Sequence, residues 1–240
     1  MVRGYRESKS EQHRDRLNRS FLDTDGFKLI LVTDRHRVGK ERLIEVIAGC
    51  LEAGLHAVML REKDLPGKEL LDMAVALRKI TSDHGAALIL NDRADVAIAA
   101  DADAVHVGSD SFKPCDLKAH LPAGMIVGAS AHNLREAIDR KESGADYIML
   151  SPVFATTSKP GAIPLGVDVV KEVVNAVEAP VFALGGVTAL RVPQILEAGV
   201  KGVAVISAIL DYPDPAQAVK MLIKSLERAS YDSTGSGNKR

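Results

Sequence analysis

Eight times between residues 28 and 226, a short apolar run gives way to a segment with helical periodicity. The pairs are KLILVTD with ERLIEVIAGCLEAG, HAVML with GKELLDMAVALRKITSDHG, AALILND with ADVAIAADA, and AVHVG with CDLKAHLP. They continue as MIVGASAH with NLREAIDRKESGA, YIML with GVDVVKEVVNAV, PVFALGG with TALRVPQILEAGV, and GVAVIS with DPAQAVKMLIKSL. Runs of this length that are apolar throughout read as strands buried on both faces, the mark of a parallel sheet covered by helices. Parallel neighbours need right-handed crossovers, and eight equal βα units close most simply into a single (β/α)8 TIM barrel. An open, doubly wound sheet is the competing arrangement.

The chain has 240 residues and 46% apolar content, enough for one large core, and a barrel of this length is one domain. The expected layout is a polar extension over 1–25, the barrel over 26–228, and a disordered tail over 229–240, where YDSTGSGNKR shows no apolar period. Thirty-one basic residues against 32 acidic ones give a net charge of −1. Four tyrosines, five phenylalanines and no tryptophan leave no basic aromatic stripe, so nucleic acid is an unsuitable partner. Cys50 and Cys115 stand apart, without the spacing of a disulfide framework or zinc site. No apolar run approaches the ~20 residues of a membrane span, and the basic first segment lacks a signal peptide's apolar middle. These features predict an unexported, cytoplasmic protein without membrane contact. They are compatible with a homo-oligomer but do not fix the oligomeric state.

Barrels of this kind carry their chemistry at the C-terminal ends of the strands. Those ends hold Thr33 and Asp34, then Arg61, Glu62 and Lys63, then Asn91, Asp92 and Arg93. His106 closes the fourth run, Ser130 and His132 follow the fifth, and SPVFATTSKPG follows the sixth with four hydroxyls, a lysine and no apolar period. Gly185 and Gly186 end the seventh run and Ser207 follows the eighth, where barrels bind phosphate through backbone amides; the alternative is a tight turn with no ligand. Two residues apart on a strand, Arg61 and Lys63 point the same way and can grip a polyanion. Asp92 among these cations suits an Mg2+ ligand or, equally, a helix cap. His106, inside an apolar strand, reads as a hydrogen-bonded core residue. His132 is either a proton-exchanging group or a structural one.

Together, MLREKD, ILNDRADVAIAADADAVHVG, VGASAHNLREAIDRKESGADYIMLSPVFATTSKPG and VFALGGVTALRVPQILEAGVKGVAVISAI resemble the thiamine phosphate synthase family, which includes thiazole tautomerase relatives. The resemblance spans residues 28–226. It implies a transferase that joins hydroxymethylpyrimidine diphosphate to thiazole phosphate. Arg61, Lys63, Asn91, Ser130, Thr156, Ser158 and Lys159 would hold the diphosphate and pyrimidine. Gly185, Gly186, Ile206 and Ser207 would hold the thiazole phosphate. Arg61, Lys63, Ser130, His132 and Lys159 would carry catalysis, with Mg2+ on Asp92 and Asp110. Two positions depart from the synthase pattern: Met59 replaces a glutamine, and Ser111 in GSDS stands where the family places its second metal carboxylate. Asp110, one residue earlier, substitutes only with a backbone shift. A tautomerase relative, acting through a histidine at the position of His132, is the alternative, followed by a non-catalytic paralogue that binds thiamine intermediates.

Overall fold

The computed structural model describes residues 26–159 and 161–235, with side chains to 228. Eight parallel strands follow one another around a closed barrel. They are β1 (Leu29–Val32), β2 (Ala57–Leu60), β3 (Ala87–Asn91), β4 (Ala104–Val107), β5 (Ile126–Ala131), β6 (Tyr147–Leu150), β7 (Val181–Leu184) and β8 (Gly202–Val205). β8 pairs back onto β1, Leu29 beside Val203 and Leu31 beside Val205, so no edge remains and the open sheet is excluded.

The helices are α1 (Arg35–Val38), α2 (Lys40–Glu52), α3 (Gly67–Asp83), α4 (Ala94–Ala99), α5 (Pro114–Lys118), α6 (Leu134–Glu142), α7 (Gly166–Ala176), α8 (Val192–Glu197), α9 (Ser207–Leu210) and α10 (Pro215–Gly235). α2 buries Leu43, Ile47, Cys50 and Leu51, and α3 buries Leu70, Met73, Ala74, Leu77 and Thr81, each a single stripe at helical spacing. Strand residues alternate between two cores. Ile30, Val32, Met59, Ile89, Met149 and Phe182 fill the barrel interior, while Leu29, Leu31, Val58, Leu60, Leu88 and Leu90 pack against the helices. Burial on both faces is why these strands read as continuous apolar runs.

The same period of two positions the site. One step beyond the interior layer, Ile89 leads to Asn91, Ala104 to His106, and Gly128 to Ser130, all turned toward the mouth. Two features differ from the expected layout. α1 buries no residue, so no hydrophobic period announces it; Asp34 holds it by accepting from the His36 amide at 3.2 Å. α10 continues to Gly235, past the expected barrel limit at 228, because each added residue on an existing helix gains a hydrogen bond without a new nucleus. The predicted extension over 1–25 and the last residues, 236–240, lie outside the described residues.

Candidate active site

The C-terminal mouth opens into a cavity of about 540 Å³, the size of a small-molecule site. Val32, Met59, Met149, Leu184 and Ala204 give it an apolar floor. Every predicted site residue lines it: Arg61 and Lys63 after β2, Asn91 and Asp92 at β3, Asp110 after β4, and Ser130 and His132 at β5. Thr156, Ser158 and Lys159 enter after β6, Gly185 and Gly186 after β7, and Ile206 and Ser207 after β8. Thr33, Asp34, Glu62 and Arg93 also stand at strand ends, yet they serve the scaffold instead. Thr33 Oγ1 accepts from the Arg61 amide at 2.9 Å, and Glu62 accepts from the Arg35 amide and guanidinium at 3.0 Å each. Arg93 pairs with Asp95.

Three cations crowd one side. Lys63 Nζ is 4.0 Å from Asp92 Oδ2, and Lys159 Nζ is 2.8 Å from His132 Nε2. Partial burial, followed by the charges of Arg61 and Lys63, holds Lys159 below the ordinary lysine range, with Glu136 opposing. Like charges gathered against their own repulsion prepare a place for an anion.

Asp92 does not cap a helix. The N-cap position of α4 is Arg93, without a side-chain bond, and Asp92 itself sits at φ 61°, a region that non-glycine residues seldom adopt. Its Oδ1 accepts from the Gly108 amide at 2.9 Å and its Oδ2 from Asn91 Nδ2 at 2.8 Å. Each oxygen keeps accepting capacity beyond those bonds. Among the described residues no group of three or more acidic, histidine or cysteine side chains gathers as metal ligands. Asp92 and Asp110 on one cavity therefore fit an ion that draws its remaining ligands from phosphate and water, the habit of Mg2+, and not a site closed by protein such as structural zinc. Arg140 ties down the loop carrying Asp110 and Ser111, donating to Ser109 O at 2.5 Å and Gly108 O at 3.2 Å.

His106 is buried with both ring nitrogens engaged, Nε2 2.9 Å from Ser130 Oγ and Nδ1 3.1 Å from the Tyr147 hydroxyl. Burial pushes its pKa down to about 4; Arg140 and Arg61 act the same way against Asp92. The neutral ring thus orients Ser130. Tyr147 reaches His106 only because residue 128 is glycine, since a Cβ there would stand 2.0 Å from the tyrosine ring. Sequence reasoning missed Tyr147 and Gly128, which are hidden inside apolar runs. It also missed Glu136, although Asn133 and Glu136 stand at the spacing of a capping box.

The glycine pair seats the loop after β6. Gly185 and Gly186 have φ of 99° and 63°, and a Cβ on them would meet Pro152 Cα at 2.8 Å and Ala155 O at 2.4 Å. Val153 and Phe154 donate to the carbonyls of Leu184 and Gly185 at 2.9 and 3.0 Å. Arg191 lies 4.6 Å over the Phe154 ring and donates to Gly186 O at 2.6 Å. The amides of Gly186 and Ser207 have no backbone partner among the described residues. On its other side the loop meets Arg37, which donates to Ser158 Oγ at 3.3 Å while paired with Asp34 and Asp211.

A family model described as thiamine monophosphate synthase matches residues 29–209. A relative from Methanoculleus marisnigri named thiamine-phosphate synthase is 43% identical over 199 residues, 82% of this chain and 94% of that one. One of the same name from Desulfitobacterium hafniense is 38% identical over 198 residues, 82% and 96% of the two chains. The solved structure of a thiamine phosphate pyrophosphorylase from Pyrococcus furiosus matches with a TM-score of 0.77 at 32% identity, covering 85% of this chain and 96% of that one.

Proposed function

The chain belongs to the thiamine monophosphate synthase family, and from that premise we infer that it joins 4-amino-5-hydroxymethyl-2-methylpyrimidine diphosphate to 4-methyl-5-(2-hydroxyethyl)thiazole phosphate. The products are thiamine phosphate and diphosphate. The observation that carries this reading is the convergence of Arg61, Lys63 and Lys159 on one cavity whose floor is apolar. Three cations suit a diphosphate, and an apolar floor suits an aromatic ring.

The bond between the pyrimidine's exocyclic carbon and the diphosphate oxygen breaks as the thiazole nitrogen bonds that carbon. Negative charge grows on the leaving oxygens, and the charges of Arg61, Lys63 and Lys159 on the same cavity would stabilise it. Asn91, Thr156, Ser158 and Ser130, the last held by His106, add neutral donors. Asp92, with Asp110, would hold Mg2+, which when bound neutralises charge on the diphosphate. The amides of Gly186 and Ser207 suit the thiazole phosphate, and the loop after β6 keeps water from the electrophilic carbon. Two free cysteines, Cys50 buried and Cys115 exposed, suit a reducing cytoplasm.

An isomerase acting through His132 needs that ring free to meet a substrate carbon, whereas its Nε2 is engaged by Lys159. Purified protein incubated with both precursors and Mg2+ is expected to form thiamine phosphate and diphosphate only when both precursors are present. Isomerisation of thiazole carboxylate phosphate with no thiamine phosphate formed would overturn the reading.

A further inference from the structure

Glu136 is held from several sides at the start of α6. Its Oε2 accepts from the His132 amide at 2.9 Å and lies 3.0 Å from His132 Nδ1. Its Oε1 accepts from Asn133 Nδ2 at 2.7 Å, and its own amide donates to Asn133 Oδ1 at 2.8 Å. This reciprocal cap fixes the carboxylate before any ligand arrives. Partial burial raises its pKa, but the bonds from His132 and Asn133 prevail and keep it below the ordinary range.

With Lys159 as the ammonium, the bonding partners leave one proton arrangement. A carboxylate only accepts, so the proton between Glu136 and His132 sits on Nδ1. Nε2 then presents a lone pair, and 2.8 Å away is Lys159, whose ammonium only donates. The opposite tautomer, or a doubly protonated ring, would set N–H against N–H and push the lysine away. We propose that Glu136 is a positioning residue: it fixes His132 in the Nδ1–H tautomer, and His132 Nε2 in turn holds the Lys159 ammonium at the diphosphate subsite. The last link rests on the reading that Lys159 meets the diphosphate.

In Glu136→Gln one position, that of Oε2, faces both the His132 amide and Nδ1. An N–H placed there gives up the amide bond, donates to Nδ1 and drives the proton to Nε2, and a second variant controls for the weakened cap. Nitrogen-15 NMR of histidine-labelled protein at pH 8, with the His132 signals identified by their loss in His132→Gln, reads the tautomer directly. The expected wild-type state is Nδ1–H, moving to Nε2–H in Glu136→Gln. Calorimetry with inorganic diphosphate and Mg2+ should show binding about tenfold weaker in Glu136→Gln, about 1.4 kcal/mol. Asn133→Ala, which breaks the cap but spares the Glu136–His132 contact, should lower the melting temperature and leave the tautomer alone. A wild-type ring protonated on Nε2 overturns the proposal. A flipped tautomer with unchanged diphosphate affinity overturns its link to Lys159. Failure to make thiamine phosphate would refute the synthase reading instead, because the tautomer is read without substrate.

Discussion

Lys159 carries the residue-scale chemistry. Its partial burial beside Arg61 and Lys63 favours the neutral amine, so it loses its proton at a lower pH than an ordinary lysine. As pH rises the clamp loses a cation, and kcat/KM for the pyrimidine diphosphate should fall on an alkaline limb below the usual lysine range. Lys159→Arg, whose guanidinium stays charged, should move that limb upward; a limb that does not move assigns it to another group. His106 makes a different prediction, about stability. Folded, it titrates at about 4 against an ordinary 6.5, so between those values the unfolded chain binds more protons. Its contribution is complete above pH 6.5 and is lost as pH falls toward 4, roughly 3 kcal/mol at about 1.4 kcal/mol per pH unit. Urea denaturation across that window should show His106→Gln losing less stability than the wild type, and equal losses would refute the assignment. The sequence made the cavity-lining residues legible because strand ends fix which side chains reach the mouth. It did not reveal Tyr147, Glu136 or Arg37, whose roles depend on partners 41, 4 and 121 residues away in the chain.

Among the elements, the loop after β6 gathers contributions from both of its flanks. Gly185 and Gly186 leave room for its backbone on one side, and Arg37, in the small α1, meets Ser158 on the other. Because Arg37 is held by Asp34 and Asp211, while Val38 and Arg35 still fasten α1 to the core and to Glu62, Arg37→Ala should loosen the loop while the barrel keeps its stability. Losing one hydrogen bond of this kind is expected to raise KM for the pyrimidine diphosphate by roughly three- to tenfold, from about 1 kcal/mol. Steady-state kinetics and the rate of protease cleavage in the loop measure the two consequences; an unchanged KM with unchanged cleavage contradicts the latch. The strands were legible because each is buried on both faces, and the longer helices because each carries one apolar stripe. α1 and the end of α10 were not, since the first has no fully buried residue and the second extends a helix already made.

Across the whole molecule, closure of the barrel turns eight separate strand ends into one rim, so that residues from Arg61 to Ser207 share a single cavity. A ligand spanning that rim binds the folded chain alone and should stabilise all of it by linkage, about 2.7 kcal/mol at a hundredfold excess over Kd. For a barrel of this size such a gain raises the melting temperature by roughly 5–10 °C. A metal held as proposed would enter the same linkage unequally. Among the described residues Asp92 and Asp110 alone offer carboxylates to the cavity, so an Mg2+ ion there would depend on phosphate oxygens to complete its ligands. Mg2+ alone should leave the melting temperature nearly unchanged, diphosphate alone should raise it modestly, and the two together should raise it by more than the sum. A thermal shift series with the four combinations decides this. If Mg2+ alone stabilises as much as the pair, the loop of Ser111 already forms a complete metal site, and the ion binds before the substrate instead of with it.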